Sequence, residues 1–356
     1  MRHFPFLVLV GLALLSWSGR PPATPPNVVL LIGDGMGLAQ ISAVYIDRPA
    51  DFVFDRFPVI GLQKTSSADN LVTDSAAAAT AMATGVKTYN SAVGLGPDSA
   101  RLTNLVELAA ANDYATGLVA TSSLTHATPA AFAAHARLRG MVEGIAADLS
   151  TSSLDLLIGG GQRAFERRYD GRNLLDTLRV RGFRVYPTGS RPLRKLDPTT
   201  DERLAYFTAD QEPVSVREGR RYLPTAATLA MQRLAARRRA GYFLLVEGSQ
   251  IDWAGHQNDG PTLLAELHDF QRTVARVLDL ARKQGNTLVI VTADHETGGL
   301  GIGEQSRMGA PRLAFSSKKH TGTVVPVFAA GPGAERFAGI YENTAIFDKL
   351  VEVLGW

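Results

Sequence analysis

Six short runs along the chain are almost wholly apolar and rich in Val, Ile, Leu and Phe: residues 28–32, 117–120, 154–158, 242–246, 288–291 and 324–329. They lack the polar alternation of a strand with one wet face, so each is expected as a strand covered on both sides. Between them, helical spacing runs through 75–84, 102–111, 129–137, 225–238 and 262–283. Strands alternating with helices predict an α/β fold, a mostly parallel central sheet sandwiched between helices. In such sheets ligands bind beyond the carboxyl ends of the strands. Three of the runs lead straight into acidic residues, Asp34, Glu247 and Asp294. Their meeting at one edge of the sheet would make a site.

The chain of 356 residues is 45% hydrophobic and 20% charged, a globular composition with ample material for a core. Residues 27–356 are expected to form a single domain. A net charge of +3 gives no reason to expect a nucleic-acid partner. Residues 163–239 nevertheless carry 18 Lys+Arg against 9 Asp+Glu. That excess is expected as a solvated face, and the turn-rich 182–213 as a surface elaboration on the domain. The absence of cysteine excludes disulfides, thiol nucleophiles and thiolate metal sites. Any transition metal must be held by His, Asp or Glu.

Met1 and Arg2 precede an apolar run over 4–15, and small residues follow at Ser16 and Ser18. Residues 1–18 read as a secretory signal, and the Pro-rich 19–26 as a stiff lead-in. A periplasmic or secreted protein is expected, with no stable membrane insertion after cleavage. The alternative is an uncleaved anchor, although the run is short of the roughly 20 apolar residues that a spanning helix needs.

Candidate chemistry clusters at the strand ends. Gly33, Asp34, Gly35, Met36 and Gly37 do not have the spacing of a dinucleotide fingerprint. A carboxylate flanked by glycines suits close backbone approach around a bridging ligand; taken alone, it is also an ordinary turn. Ser75 opens an Ala-rich helix, where free amides and the helix dipole favour an anion. A serine there is most often only a cap, and no histidine lies nearby in sequence to activate it. Asp252 and His256 stand four apart, on one helical face, at a separation suited to one metal ion. Asp294 and His295 form an adjacent pair after a buried strand, and His320 precedes another. Together these residues offer ligands of the zinc and magnesium type. Two such ions about 4 Å apart clamp an in-line displacement at phosphorus.

In this order the motifs resemble the alkaline phosphatase family: Gly33 to Gly37, Thr73-Asp74-Ser75-Ala76-Ala77, His126-Ala127-Thr128-Pro129-Ala130, Glu247 to Asp252, Asp294 to Gly299 and His320-Thr321-Gly322. The resemblance spans residues 27 to about 331. It implies a phosphate monoester hydrolase of broad substrate range with Ser75 as a nucleophile that becomes phosphorylated. It implies one zinc on Asp252, His256 and His320, and a second on Asp34, Asp294 and His295 with Ser75 facing it. A third ion of the magnesium type would lie on Asp34, Thr128 and Glu247. Arg139, expected on the helix after the Thr-Pro motif, would grip phosphate through two oxygens. His126 and Trp253 stand where some members have Asp and Lys, and would face the substrate. A homodimer is also implied. The rivals are a metal-dependent phosphodiesterase on the same fold and a phosphate- or metal-binding protein without turnover.

Overall fold

The computed structural model describes residues 25–356, so the expected signal over 1–18 and most of the lead-in lie outside the described residues. The strands are β1 Asn27–Gly33, β2 Val59–Lys64, β3 Tyr114–Ser123, β4 Leu156–Gly160, β5 Phe183–Tyr186, β6 Arg203–Phe207, β7 Gly241–Gly248 and β8 Thr287–Thr292. They continue with β9 Glu296–Thr297, β10 Leu300–Ile302, β11 Leu313–Phe315, β12 His320–Thr321, β13 Val325–Ala330 and β14 Gly339–Glu342. Ten of these form one sheet, in the order β14-β2-β13-β8-β1-β7-β3-β4-β6-β5. Neighbours are parallel throughout except at β13, which runs antiparallel to both β2 and β8.

The apolar runs are continuous because alternate side chains feed two different cores. Val28, Leu30 and Ile32 of β1 pack into one layer with the helices Ser75–Thr84 and Ala345–Leu354. Val29 and Leu31 point to the other, against Leu223–Ala236 and Gly260–Gln284. Each such side chain contributes about 1.5–3 kcal/mol by leaving water. The helix Ser75–Thr84 is buried at every position. Its alanines let it sit close beneath the sheet, and Gly85, at φ 74°, ends it in the left-handed conformation.

The structure departs from the sequence expectation in four places. The helix expected over 129–137 is only Ala127–Ala131. Ala136 instead bridges to Val93, and the Arg139 amide donates to the Ser91 carbonyl at 2.8 Å, so tertiary pairing overrides the helical preference of the alanines. The helix expected from residue 102 starts at Leu105, because Asn104 and Glu107 close a reciprocal capping box. The segment 182–213 supplies β5 and β6, which extend the sheet at one edge, while 187–202 remains a loop. The arginine-rich stretch is not simply a wet face either. Buried Asp155 accepts from Arg203 at 3.1 Å and pairs with Arg237 at 3.2 Å, and buried Arg220 pairs with Glu266 and Asp269. No helix among the described residues is long and apolar enough to cross a membrane.

Candidate metal centre

Parallel pairing brings three carboxylates to one place. In the registers of β1 with β7 and β8, Ile32 lies opposite both Glu247 and Thr292. Asp34, Glu247 and Asp294 therefore leave three adjacent strands at the same end, and all three are buried. The turn after β1 is held by the Asp34 amide donating to the Gly248 carbonyl at 3.3 Å. The Gly35 amide donates to Asp294 Oδ1 at 3.1 Å. Gly35 has φ +73°, and a Cβ there would lie 2.8 Å from Thr297 Oγ1 and 2.9 Å from the Asp252 Cα. Only glycine satisfies both demands.

Three histidines turn one ring nitrogen each toward a carboxylate, His256 and His320 toward Asp252 and His295 toward Asp34 and Asp294. Nδ1 of His256 lies 2.7 Å from the Lys318 carbonyl, and Nδ1 of His320 lies 2.9 Å from the Thr73 carbonyl. A carbonyl only accepts, so both Nδ1 atoms carry the proton and both Nε2 atoms present lone pairs. Those two Nε2 atoms are 3.0 Å apart, and lie 3.4 and 3.5 Å from Asp252 Oδ1. At His295, the Thr297 hydroxyl donates to Asp252 and lies 3.2 Å from Nδ1, so it accepts the ring proton there. His295 Nε2 is then left facing Asp294 at 3.2 Å and Asp34 at 3.6 Å.

Lone pairs facing one another at this distance repel unless a cation lies between them, and the buried oxygens repeat the argument. Both oxygens of Asp34, Oδ2 of Asp294 and Oε1 of Glu247 are buried without a hydrogen-bond partner. Such groups are costly unless a cation satisfies them. Three clusters have ligand atoms within 4.8 Å of one another: Asp252, His256 and His320; Asp34, Asp294 and His295; and Asp34, His126 and Glu247. Thr128 is fully buried beside the third. The donor set, carboxylate and imidazole, fits divalent cations of the zinc and magnesium type.

Without such counter-charges the carboxylates resist ionisation. Burial, and then Asp294, Asp252 and Glu247, push Asp34 well above the usual range. Burial pushes Glu247 up to about 8 against the hydrogen bond from Ser249. Burial is the largest single effect on Asp294 and opposes its ionisation, but adjacent His295, the amide of Gly35 and His320 together outweigh it and hold this carboxyl low. His295 is correspondingly raised: burial is the largest single effect and disfavours its charge, but the charge and hydrogen bond of Asp294, joined by the charge of Asp252, together outweigh it. His320 is lowered to about 4 by burial and by His295.

Ser75 faces this cluster. Its Oγ is 3.2 Å from His295 Nε2, at the N-terminus of the buried helix, where Asp74 caps the amide of Ala77. Arg139 reaches the same place from a loop rather than from the expected helix. Its Nη1 donates to Asp74 Oδ2 at 3.1 Å, and its Nη2 to His126 Nε2 at 3.2 Å. His126 is thus an acceptor, in keeping with a pKa lowered to about 4 by burial and then by Arg139. The Trp253 ring stands edge-on to His126, with centroids 5.9 Å apart. Ser75, Arg139, His126 and Trp253 are thus linked by contacts to one another or to the ligand clusters at the strand ends.

Two further residues matter that carry no role in the sequence reading. Asp74 stands there only as part of the Thr73-Asp74-Ser75 motif, yet one of its oxygens caps the helix and the other accepts from Arg139. Thr297 joins Asp252 to His295, a link across 45 residues that no local spacing reveals. Its only signal is adjacency to the Asp-His pair.

Comparison with known proteins agrees with this geometry. The family model described as alkaline phosphatase matches residues 26–314. Alkaline phosphatase 3 of Bacillus subtilis is 32% identical, over 92% of this chain and 88% of the relative. The alkaline phosphatase of the Antarctic bacterium TAB5 has a solved structure that superposes with a TM-score of 0.88 at 43% identity, covering 94% of this chain and 99% of that one. A variant of that enzyme, solved with Mg bound in its M3 site, superposes with the same TM-score at 42% identity and the same coverage. The strand-end carboxylates, the buried serine and the matched length all agree, and the chain belongs to the alkaline phosphatase family, enzymes that hydrolyse phosphate monoesters.

Proposed function

We propose that this enzyme hydrolyses phosphate monoesters through a phosphoserine at Ser75, with two zinc ions and a third ion of the magnesium type. Asp252, His256 and His320 would hold one zinc, and Asp34, Asp294 and His295 the other, beside Ser75. Asp34, Thr128 and Glu247 would hold the third ion, with His126 alongside; a TAB5 variant in which a histidine is replaced by aspartate holds Mg in its M3 site. When bound, such ions supply Lewis-acid stabilisation of the charge that develops on the attacking and departing oxygens.

The observation that carries this reading is the position of Ser75 Oγ, 3.2 Å from His295 Nε2 at a helix N-terminus and facing buried carboxylates that lack partners. The chain's own residues then have separate tasks. Ser75 Oγ attacks phosphorus and the ester P–O bond breaks opposite to it, leaving phosphate on the serine. Arg139 grips two phosphate oxygens, which lysine cannot do in the same plane. Asp74 holds the guanidinium in that pose. His126 stays neutral and keeps its acceptor nitrogen on Arg139, while Trp253 walls the cleft. Water then cleaves the phosphoserine and restores the hydroxyl. These groups grip phosphate and leave the alcohol largely free, which supports a broad substrate range.

Arg139 also favours monoesters over diesters, since a diester carries one less negative charge. The proposal extends to export by residues 1–18 to the periplasm or beyond, on the strength of the apolar run over 4–15 and the small residues that follow it, and to a homodimer, on the strength of the family resemblance. Replacing Ser75 with Ala and assaying a chromogenic monoester with zinc and magnesium supplied tests the central step. Loss of at least a thousandfold in kcat is expected, on the order of what removing an activated nucleophile costs. Undiminished turnover would remove Ser75 from its role.

A further inference from the structure

A cavity of about 530 Å³ opens beside the phosphate-gripping residues, with His126 and Arg139 in its wall. That volume lies in the range of small-molecule pockets. Its other side is built from the helices Val142–Thr151 and Gln162–Glu166, which contribute Val142 and Ala164, and from the loop that follows the second helix. Tyr169, on that loop, lines the cavity and is fully exposed, at 103% of its reference accessibility.

The loop presents Tyr169 on a fixed base. Arg168, whose side chain is only 2% exposed, donates to the carbonyls of Glu143 at 2.7 Å and Ala164 at 3.0 Å, tying both helices together beneath the tyrosine. The Tyr169 amide donates to the Glu143 carboxylate at 2.9 Å, and Asp170 accepts from Arg168 and Arg172. An aromatic ring is therefore held out with no packing partner at the mouth of a cavity that shares its wall with the site. The charged groups of the cavity are largely neutralised by one another. Arg163 and Arg167 both donate to Asp210, and across the lining Arg139, Arg163 and Arg167 are matched by Glu143, Asp210 and Glu212, so it selects for no strong charge of either sign. Such a surface suits an uncharged planar ring.

We propose that this cavity is a leaving-group subsite, in which the ring of an aryl or nucleoside alcohol packs against Tyr169 while its phosphate lies at Ser75 and Arg139. The placement of the phosphate rests on the function proposed above. The subsite creates a preference within a broad range, since esters of small alcohols need no contact with it.

The test compares Tyr169→Ala with the parent enzyme, metals supplied, on adenosine 5′-monophosphate, 1-naphthyl phosphate and glycerol 1-phosphate. The variant is expected to lose about three- to tenfold in kcat/KM on the two ring-bearing esters, mainly through KM, the range that one aromatic contact provides. Glycerol 1-phosphate turnover should not change. Tyr169→Phe should retain the preference, because the ring and not the hydroxyl makes the contact. Binding of adenosine, read by saturation-transfer NMR, should be seen with the parent and weakened in Tyr169→Ala. Equal losses on all three esters, no loss on any, a Phe variant that behaves like the Ala variant, or unchanged adenosine binding would each overturn the subsite. The adenosine signal needs no turnover, so it tests the cavity even if Ser75→Ala were to show the mechanism to be wrong.

Discussion

Removing divalent cations should make the stability of this enzyme fall as pH rises, the reverse of what most acidic clusters do. Glu247 is pushed from 4.5 to about 8 by burial, and Asp34 is raised as well. In the folded chelated protein Glu247 keeps a proton at neutral pH that the unfolded chain has already released. Raising the pH therefore favours the unfolded state throughout the window between the two values. His295, also raised, acts in the same direction above neutrality, while His126 and His320, lowered to about 4, are already neutral there. Between pH 7 and 8.5, Glu247 alone contributes a loss of about 1 kcal/mol, with Asp34 adding to it. For a chain of this size that corresponds to a fall in Tm of about 2 °C or more. With zinc and magnesium supplied the trend should vanish or reverse, because cations bind the deprotonated ligands and stabilise only the folded state. Calorimetry of the chelated and reloaded protein across this range provides the comparison. A chelated protein whose Tm stays level or climbs from pH 7 to 8.5 would refute the argument that these carboxylates are buried for a cation.

Three substitutions probe other links. Thr297→Val removes the hydroxyl between Asp252 and His295 and should weaken zinc affinity about 10- to 100-fold, as measured by competition with a chromogenic chelator, with little change in the fold. Arg139→Lys keeps the charge but loses the two-pronged grip and the bond to Asp74; KM for monoesters and the inhibition constant of inorganic phosphate should both rise, by about tenfold for a loss near 1.4 kcal/mol. Arg220→Met leaves Glu266 buried without its partner, at a cost of about 3–5 kcal/mol seen as a lowered Tm, while activity at low temperature persists because the pair lies outside the cleft.

The parts of the fold legible in the sequence were those written in local pattern. Central strands such as β1, β7 and β8 are buried on both faces, so their apolar runs stand out, and the acidic residues at their ends follow directly. The edge strand β14 and its neighbour β2 keep many of their positions exposed or half-buried and carry no such run. β5 and β6 lie in an arginine-rich stretch whose charge conceals two strands, because those arginines bond to Asp155 and to backbone carbonyls inside the fold. The helix expected to carry Arg139 failed for a related reason: the segment 91–93, distant in sequence, recruits its backbone. The candidate site was legible because each candidate ligand lies next to another or near a strand end. Thr297 and Asp74 escaped because their work is done through partners that only the folded chain brings near.

The most direct measurement is acid-quenched mass spectrometry of the zinc- and magnesium-loaded enzyme during turnover of a phosphate monoester. The mechanism predicts phosphate on the peptide containing Ser75, present in the parent, absent in Ser75→Ala and lost when water completes the cycle. An active enzyme that carried no phosphate on Ser75 at any stage of turnover, or carried it on another residue, would contradict it.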